Sequence, residues 1–224
     1  KYYQASSSEM FGGEKNELIN ENTKLDPKSP YAAGKVLAHN LTTIYRDSYD
    51  LFAVNGILFN HESPHRGETF VTRKITRAVG RIKHGLQSQL TLGNLDAERD
   101  WGFAGDYVEG MWKMLQEKKS DTYVLSTNRT ETVRDFVTMS AKHAGFNIIW
   151  SGSAENEIGI DESTGKTIVK VNPAFYRPAE VELLIGNSEK AKKELGWEAK
   201  TSLEELSRIM VKADIERNKK GFSF

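Results

Sequence analysis

The chain has 224 residues, and its 31 Lys and Arg balance 31 Asp and Glu, which leaves a formal net charge of zero. That balance excludes the strongly basic surface expected of a nucleic-acid-binding or membrane-surface protein, so we predict neither partner. Hydrophobic residues at 38% exclude wholesale disorder, and the lack of cysteine excludes disulfides, which suits the cytoplasmic location that we predict.

The first predicted elements are a strand, a helix and a second strand. Tyr2 to Ser6 is typical of the end of a strand. Ser29-Pro30 predicts a helix start, because Ser is a good N-cap and Pro suits the first helical position. This helix carries apolar residues on one face and ends near Tyr49, before the short apolar run 51–58 of a buried parallel strand. The order predicts a βαβ crossover.

Further helices and strands alternate along the rest of the chain, as apolar spacing and capping residues indicate. We predict helices at 71–82, 108–115, 133–144 and 188–195, a strand at 123–126, and loops across 151–166. A last helix starts at Ser202, which forms a capping-box pattern with Glu205.

Tyr31 and Lys35 carry the first chemical signal. They lie four residues apart at the start of the first predicted helix, so they project from the same face. An ammonium close to a phenol favours the phenolate, and such a tyrosine can act as an acid or base near neutral pH. Because any surface helix can contain Y-x-x-x-K, the pattern alone does not define a site.

The polar segment Ser6-Ser7-Ser8-Glu9 ends the first predicted strand. Ligands of doubly wound sheets bind at the carboxyl ends of strands. A serine hydroxyl there can hydrogen-bond a substrate oxygen, and Glu9 adds an acid or base beyond what simple hydride transfer needs. The alternative is a polar turn, but the coincidence with Tyr31 and Lys35 favours a catalytic site.

Longer segments carry a more specific pattern: YQASSSEMFG (3–12), SPYAAGK (29–35), LFAVNGILFNHESPHRG (51–67), FVTRKI (70–75), LGNLDAERDWG (92–102), DYVEGMW (106–112) and YRPAEV (176–181). Together they resemble the extended short-chain dehydrogenase/reductase family and, within it, the GDP-mannose 4,6-dehydratases. NHESPHRG and FVTRK are much more specific than Y-x-x-x-K. Epimerase relatives commonly lack a counterpart of Glu9.

The resemblance implies an α/β fold: the C-terminal part of a Rossmann doubly wound parallel sheet plus a smaller α/β substrate-binding domain. It implies that residues 1–60 belong to the NADP-binding domain and that residues 61–224 mainly bind the GDP-sugar, with a return to the Rossmann sheet near 122–127. No G-x-G turn occurs in the chain, although the family carries one. We therefore expect an N-terminally truncated fragment that is inactive on its own.

The resemblance also implies an activity, a cofactor and partners. The activity is the NADP-dependent conversion of GDP-mannose to GDP-4-keto-6-deoxymannose plus water, by a protein that forms a homo-oligomer, either a dimer or a tetramer. Ser7, Glu9, Tyr31 and Lys35 match catalytic positions, although the family usually has Thr where Ser7 stands. Cofactor-contacting positions are matched by Tyr31, Lys35, His61 and Arg66. Positions that hold GDP-mannose are matched by Ser8, Asn60, Lys74, Arg99, Arg177 and Glu180.

Some of these residues have purely structural alternatives. Arg99 could pair with Asp100, and Lys74 could belong to a solvated basic helix face. Residues 61–65 have the order H-E-x-x-H, but Pro64 favours a loop over the helix that a zinc site of this order requires, so we predict no metal.

Two other functions remain open at this point. The first is a nucleotide-sugar epimerase or reductase of the same fold, which the mass of the product would distinguish. The second is a truncated, non-catalytic binding fragment, which titration with NADP would distinguish.

Overall fold

The structure is a computed structural model and describes residues 1–12, 18–175 and 185–221. The helices are α1 (Pro30–Tyr49), α2 (Val71–Lys83), α3 (Ala104–Gln116), α4 (Val133–Ala144), α5 (Glu189–Leu195) and α6 (Leu203–Lys220). The strands are β1 (Tyr2–Ser7), β2 (Leu18–Ile19), β3 (Ala53–Leu58), β4 (Asn60–Glu62), β5 (Leu90–Leu92), β6 (Glu98–Arg99), β7 (Trp101–Phe103), β8 (Thr122–Leu125), β9 (Glu131–Thr132), β10 (Ile148–Ser151), β11 (Ile158–Asp161), β12 (Thr167–Val171) and β13 (Ile185–Gly186).

The chain divides into two compact units, each built from three separate segments. Unit one contains the described residues of Lys1–His61, Arg99–Thr130 and Val181–Thr201. Unit two contains those of Glu62–Glu98, Glu131–Glu180 and Ser202–Phe224. Among the described residues, no helix has both the length and the hydropathy needed to cross a bilayer.

Unit one is built around a parallel sheet in the order β1-β3-β8. Tyr2 lies beside Ala53 and Ser7 beside Leu58, so β1 and β3 end at the same edge of the sheet. Helix α1 connects these two strands and packs against both. The predicted crossover and α/β fold class are thus confirmed, and the strand predicted at 123–126 is β8.

Alternating residues of β3 and β8 enter two separate apolar clusters, as the period of a strand requires. One cluster contains Val54, Leu58, Tyr107, Met114, Tyr123, Leu125, Ala191, Leu195 and Trp197, from β3, β8, α3, α5 and the residues that follow α5. The other contains Met10, Phe11, Ile19, Ile57, Phe59 and Val124, with Val36 of α1 packed against it. The sheet is therefore covered on both faces.

In unit two, α2, α4 and α6 pack on one another beside a sheet in the order β10-β11-β12-β5. The pairs β10–β11 and β11–β12 are antiparallel, whereas β12–β5 is parallel. The loops predicted across 151–166 are wrong for residues 158–161, which form β11. The glycines at 159 and 165 indicated turns, but Gly159 lies inside β11 against Val169, where a side chain would leave little room.

The capping box predicted at Ser202 forms only by half. Ser202 Oγ accepts the Glu205 N–H at 3.1 Å, but the Glu205 carboxylate accepts from Arg208 at 2.6 and 2.7 Å instead. A complete capping box occurs at the start of α4, between Thr132 and Asp135. Arg208 thus binds the Glu205 carboxylate in place of the backbone N–H of Ser202.

Candidate active site

The carboxyl end of β1 leads directly into a 3-10 turn, Ser8–Phe11, that holds Ser7, Ser8 and Glu9. Ser7 is its N-cap, and the Ser7 Oγ accepts the Glu9 N–H at 3.3 Å. Ser8 is buried, whereas Glu9 is only half-buried. Because the Ser7 oxygen accepts this bond, its hydroxyl proton remains able to point to a ligand.

Tyr31 and Lys35 lie in the first turns of α1, which starts as predicted at Pro30. The Ser29 Oγ caps the helix by accepting the Ala32 N–H at 3.1 Å. Lys35 Nζ donates to the Ala5 carbonyl at 2.8 Å and lies 5.6 Å from the centre of the Tyr31 ring, which is 55% exposed. An ammonium has three donors, so this contact leaves two for a ligand.

Next to Tyr31 and Lys35 lies a cluster of hydrogen-bonded polar residues, Ser6, His39 and Asn55, that the sequence does not predict. Ser6 is buried, and its Oγ lies 2.9 Å from His39 Nδ1. Asn55, fully buried on β3, donates from Nδ2 to the His39 carbonyl at 3.3 Å and to Thr43 Oγ1 at 3.1 Å. The signal that could have found His39 is its position four residues after Lys35, on the same helix face.

Asn60 and His61 follow β3 at the same edge of the unit-one sheet. His61 Nδ1 donates to the Phe59 carbonyl at 2.8 Å, because only a protonated nitrogen can pair with this oxygen. The His61 ring stacks on Tyr107 with the ring centres 5.0 Å apart. The tautomer and the plane of the imidazole are therefore both set by the fold.

Arg66 belongs to unit two, where it forms an ion pair with Glu62 and covers an aromatic ring. Its Nε lies 3.1 Å from Glu62 Oε2, and its guanidinium carbon lies 3.6 Å from the centre of the Phe70 ring. Burial raises the pKa of Glu62, against the opposing effects of Arg66 and of the Thr72 hydroxyl, which donates to this carboxylate. These contacts hold the Arg66 side chain in one place.

Lys74 lines a cleft of about 310 Å³ within unit two. The cleft is lined by Glu68, Lys74, Arg77, Ala78, Arg81, Gln87, Gln89, Leu90, Thr91 and Phe175. Arg77 pairs with Glu68 at 2.9 Å, whereas Lys74 Nζ lies 4.5 Å from the centre of the Phe175 ring. Burial lowers the pKa of Lys74. The cleft thus combines cations, amides and one aromatic face, which is a suitable lining for a phosphorylated ring compound.

Comparison with known proteins identifies the family. A family model described as GDP-mannose 4,6 dehydratase matches residues 1–210. The chain belongs to this family. It is 52% identical over 99% of its length to the GDP-mannose 4,6 dehydratase of Dictyostelium discoideum, and 49% identical over 96% of its length to that of Homo sapiens. It spans only 62% and 58%, respectively, of the lengths of these relatives.

Two solved structures that were determined with a nicotinamide nucleotide share the fold of this chain. One is the structure of RMD from Pseudomonas aeruginosa in complex with NADPH, which is 19% identical and superposes with a TM-score of 0.80. The superposition covers 96% of this chain and 66% of the other chain. The other is a dTDP-glucose 4,6-dehydratase from Bacillus anthracis in complex with NAD, which is 21% identical with a TM-score of 0.77. The superposition covers 98% of this chain and 63% of the other chain. At this identity the likeness establishes the fold.

Arg99 is another position that the resemblance assigns to the substrate. It lies half-buried in β6, directly before the buried Asp100. Asp100 accepts the Thr127 N–H at 3.0 and 3.1 Å and the Thr127 hydroxyl at 2.8 Å. Burial raises the pKa of Asp100 to about 7, although Thr127 and Arg129 oppose the shift. Arg177 and Glu180 lie outside the described residues.

The raised pKa of Asp100 predicts a pH-dependent stability. Between about pH 4 and 7 the folded chain holds a proton that the unfolded chain has released, so the free energy of unfolding falls as pH rises through this window, by at most about 1.4 kcal/mol per pH unit. Asp100→Asn removes this titration. Urea unfolding at several pH values measures the free energy of unfolding of wild type and variant. The value for wild type minus that for the variant should fall as pH rises, and a difference that does not change with pH would contradict the prediction.

Proposed function

We propose that this protein is a GDP-mannose 4,6-dehydratase that converts GDP-mannose to GDP-4-keto-6-deoxymannose and water with NADP as cofactor. The observation that supports this most directly is the hydrogen bond from Lys35 Nζ to the Ala5 carbonyl. It joins the start of α1, which carries Tyr31, to the strand that ends at Ser7, two residues before Glu9. The proposal includes a cytoplasmic location and assigns three of the four cofactor contacts, those of Tyr31, Lys35 and His61, to unit one.

The donors near Tyr31 and Lys35 fit a nicotinamide nucleotide. The two remaining Lys35 donors suit ribose hydroxyls, and His61 presents a fixed ring from the same sheet edge. Arg66 is the further cofactor contact in this proposal, because its guanidinium can bind a phosphate. NADP bound there would supply the hydride acceptor for C4 and the hydride donor for C6, and C5 would regain one proton to balance the one that Tyr31 takes from the C4 hydroxyl.

Tyr31 and Lys35 then carry the first proton transfer. The Tyr31 phenolate accepts the proton of the C4 hydroxyl as the keto group forms. Lys35 places its positive charge 5.6 Å from the centre of the Tyr31 ring. The Ser7 hydroxyl donates to the C4 oxygen, which leaves the Ser7 lone pair on the Glu9 N–H.

Glu9 carries the dehydration step. The C4 keto group acidifies the C5 proton, and the Glu9 carboxylate removes it while the C6 hydroxyl departs. Glu9 then donates this proton to the leaving hydroxyl, so that water forms and the carboxylate is restored. A half-buried carboxylate at the carboxyl end of β1 suits both roles, because it can reach the substrate without losing contact with solvent.

The GDP part of the substrate is assigned to Lys74 in the unit-two cleft, together with Ser8, Asn60, Arg99, Arg177 and Glu180. Lys74 supplies a partly desolvated cation, and the Phe175 ring beside it offers a face on which a base can stack. These two features match a nucleoside diphosphate better than a neutral sugar.

Product analysis tests the proposal directly. The complete gene product is incubated with GDP-mannose and NADP, and mass spectrometry follows the nucleotide sugar. We expect a product that has lost one water without accumulation of NADPH. A product of unchanged mass would favour the epimerase alternative, and consumption of NADPH in a parallel incubation with the reduced cofactor would favour a reductase. Tyr31→Phe, which keeps the ring but lacks the base, is the matched inactive control.

Lys74→Met is expected to weaken the binding of both GDP and GDP-mannose. The loss of a charged hydrogen bond corresponds to about 1.5–3 kcal/mol, whereas NADP affinity should change little. Isothermal titration calorimetry on the complete protein measures all three ligands, with Lys212→Met, an exposed lysine of α6, as control. Weaker NADP binding with unchanged GDP binding would reverse the assignment. Arg177→Ala is expected to behave like Lys74→Met.

An exposed apolar face on α1 supports a homo-oligomer as part of this proposal. Leu37, Leu41, Ile44 and Tyr45 lie along the helix and are all exposed. A face of this kind can pair with its own copy across a two-fold axis. We expect Leu41→Glu to lower the mass of the complete protein measured by light scattering, with Lys212→Glu unchanged. An unchanged mass for Leu41→Glu would exclude this face.

A further inference from the structure

Three residues of α1 at intervals of four, Tyr31, Lys35 and His39, share one helix face. Two of them bind consecutive residues of β1. Lys35 Nζ donates to the Ala5 carbonyl at 2.8 Å, and His39 Nδ1 lies 2.9 Å from Ser6 Oγ. Two successive turns of the helix are therefore attached to the strand immediately before Ser7.

The second attachment is partly buried and has further support from β3. Ser6 is only 3% exposed, and Asn55 is fully buried. Asn55 Nδ2 donates to the His39 carbonyl and to Thr43 Oγ1, so the same helical turn is bonded to two neighbouring strands. This bond is costly to break on the serine side, because the buried Ser6 hydroxyl cannot turn to water instead.

The imidazole is suited to this contact in its neutral form. Burial lowers the pKa of His39, and the charge of Arg46 lowers it further. A neutral ring offers Nδ1 either as donor or as acceptor, and a serine hydroxyl can take the opposite role in each case. The contact therefore needs no charge and none of the atoms assigned to catalysis.

Resting on the proposed function, we propose that His39 is a positioning residue for the dehydration. Its contact with Ser6 fixes the carboxyl end of β1 against α1, which keeps the Ala5 carbonyl on Lys35 and holds the Ser7–Glu9 segment in place for C5 deprotonation. The 3-10 turn that contains Glu9 also packs against α1, so a shift of the strand end would displace the carboxylate.

Three variants test this contact in the complete protein. His39→Leu removes the hydrogen bond and keeps an apolar side chain of similar size, and Ser6→Ala removes the other partner. His39→Asn places a polar atom at the same bond count as Nδ1 and should rescue the contact. Thr42→Val is the matched control, because Thr42 is buried on the same helix but its hydroxyl bonds only the Ala38 carbonyl, at 2.8 Å.

We expect His39→Leu and Ser6→Ala to lower kcat about 10- to 100-fold, as a misplaced catalytic group would, with KM for GDP-mannose changed less than about threefold. The double variant should be no worse than either single one, because both remove one interaction. Hydrogen exchange of the Ser7, Ser8 and Glu9 amides should be faster in His39→Leu than in Thr42→Val.

The result that overturns the proposal is equal kcat in His39→Leu and Thr42→Val, or unchanged amide exchange at Ser7–Glu9, or no recovery in His39→Asn. Failure of the proposed function has a different signature. A wild-type protein that does not dehydrate GDP-mannose would refute the activity, whereas amide exchange would still decide whether His39 holds the end of β1.

Discussion

Replacing Glu9 by Gln is expected to abolish turnover of GDP-mannose, with a loss in kcat of about 10³-fold or more, since one carboxylate is asked to act as base and then as acid. Gln keeps the shape of Glu9 and its backbone bond to Ser7, but it cannot accept the C5 proton. Because the first step depends on Tyr31, oxidation at C4 should survive in the variant. The complete protein should therefore retain NADP binding and produce a trace of bound NADPH.

Deuterium exchange at C5, measured beside product formation, distinguishes this role from a loss of folding. Both should disappear together in Glu9→Gln. Glu189→Gln, an exposed glutamate at the start of α5 in the same unit, is the control and should retain full turnover. Undiminished exchange in Glu9→Gln would assign the C5 proton to another base.

The largest loss of stability is expected for Arg73→Met. Arg73 is fully buried, and its Nε donates to both carboxylate oxygens of Asp214 at 3.0 Å. Its NH1 donates to the carbonyls of Pro64 and Arg66 at 2.8 and 2.9 Å. Met fills a similar volume, but it leaves the buried Asp214 carboxylate without the guanidinium that binds both of its oxygens. The loss of such a partner costs about 3–5 kcal/mol of stability.

Urea unfolding of the complete protein measures this cost, with Arg208→Met as the matched control. Arg208 pairs with Glu205 on α6, but it is half-exposed, so its loss should cost less than about 1 kcal/mol. Comparable losses in the two variants would contradict the importance of burial. Because the loop from Pro64 to Arg66 loses two donors, NADP binding by Arg73→Met should also weaken if Arg66 contacts the cofactor.

The fold could be predicted where its signals are local. Ser29-Pro30 marks the start of α1, and the apolar run of β3 follows it, so the βαβ order was evident from neighbouring residues. Strand β11 was missed because it has only four residues and one of them is Gly159, which indicates a turn in the sequence. Its pairing with β12 depends on residues beyond the turn, which local spacing does not register.

The candidate site shows the same limit. Tyr31 and Lys35 share a helix face that a reader of the sequence can recognise, whereas the His39–Ser6 contact joins residues 33 positions apart. The buried pair Arg73–Asp214 spans 141 positions. Arg73 looks in the sequence like one more cation of a basic helix, and only the position of α6 makes it a buried structural residue.

The interleaving of the two units has a consequence for how this chain acquires its structure during synthesis. Unit one needs segments that end at His61, Thr130 and Thr201, so its last piece is translated long after its first. At about 5–20 residues per second, roughly 10–40 s separate Lys1 from Thr201. From the translation of β3 until that of α5, the apolar side chains of the sheet that α5 will cover are exposed and can bind chaperones.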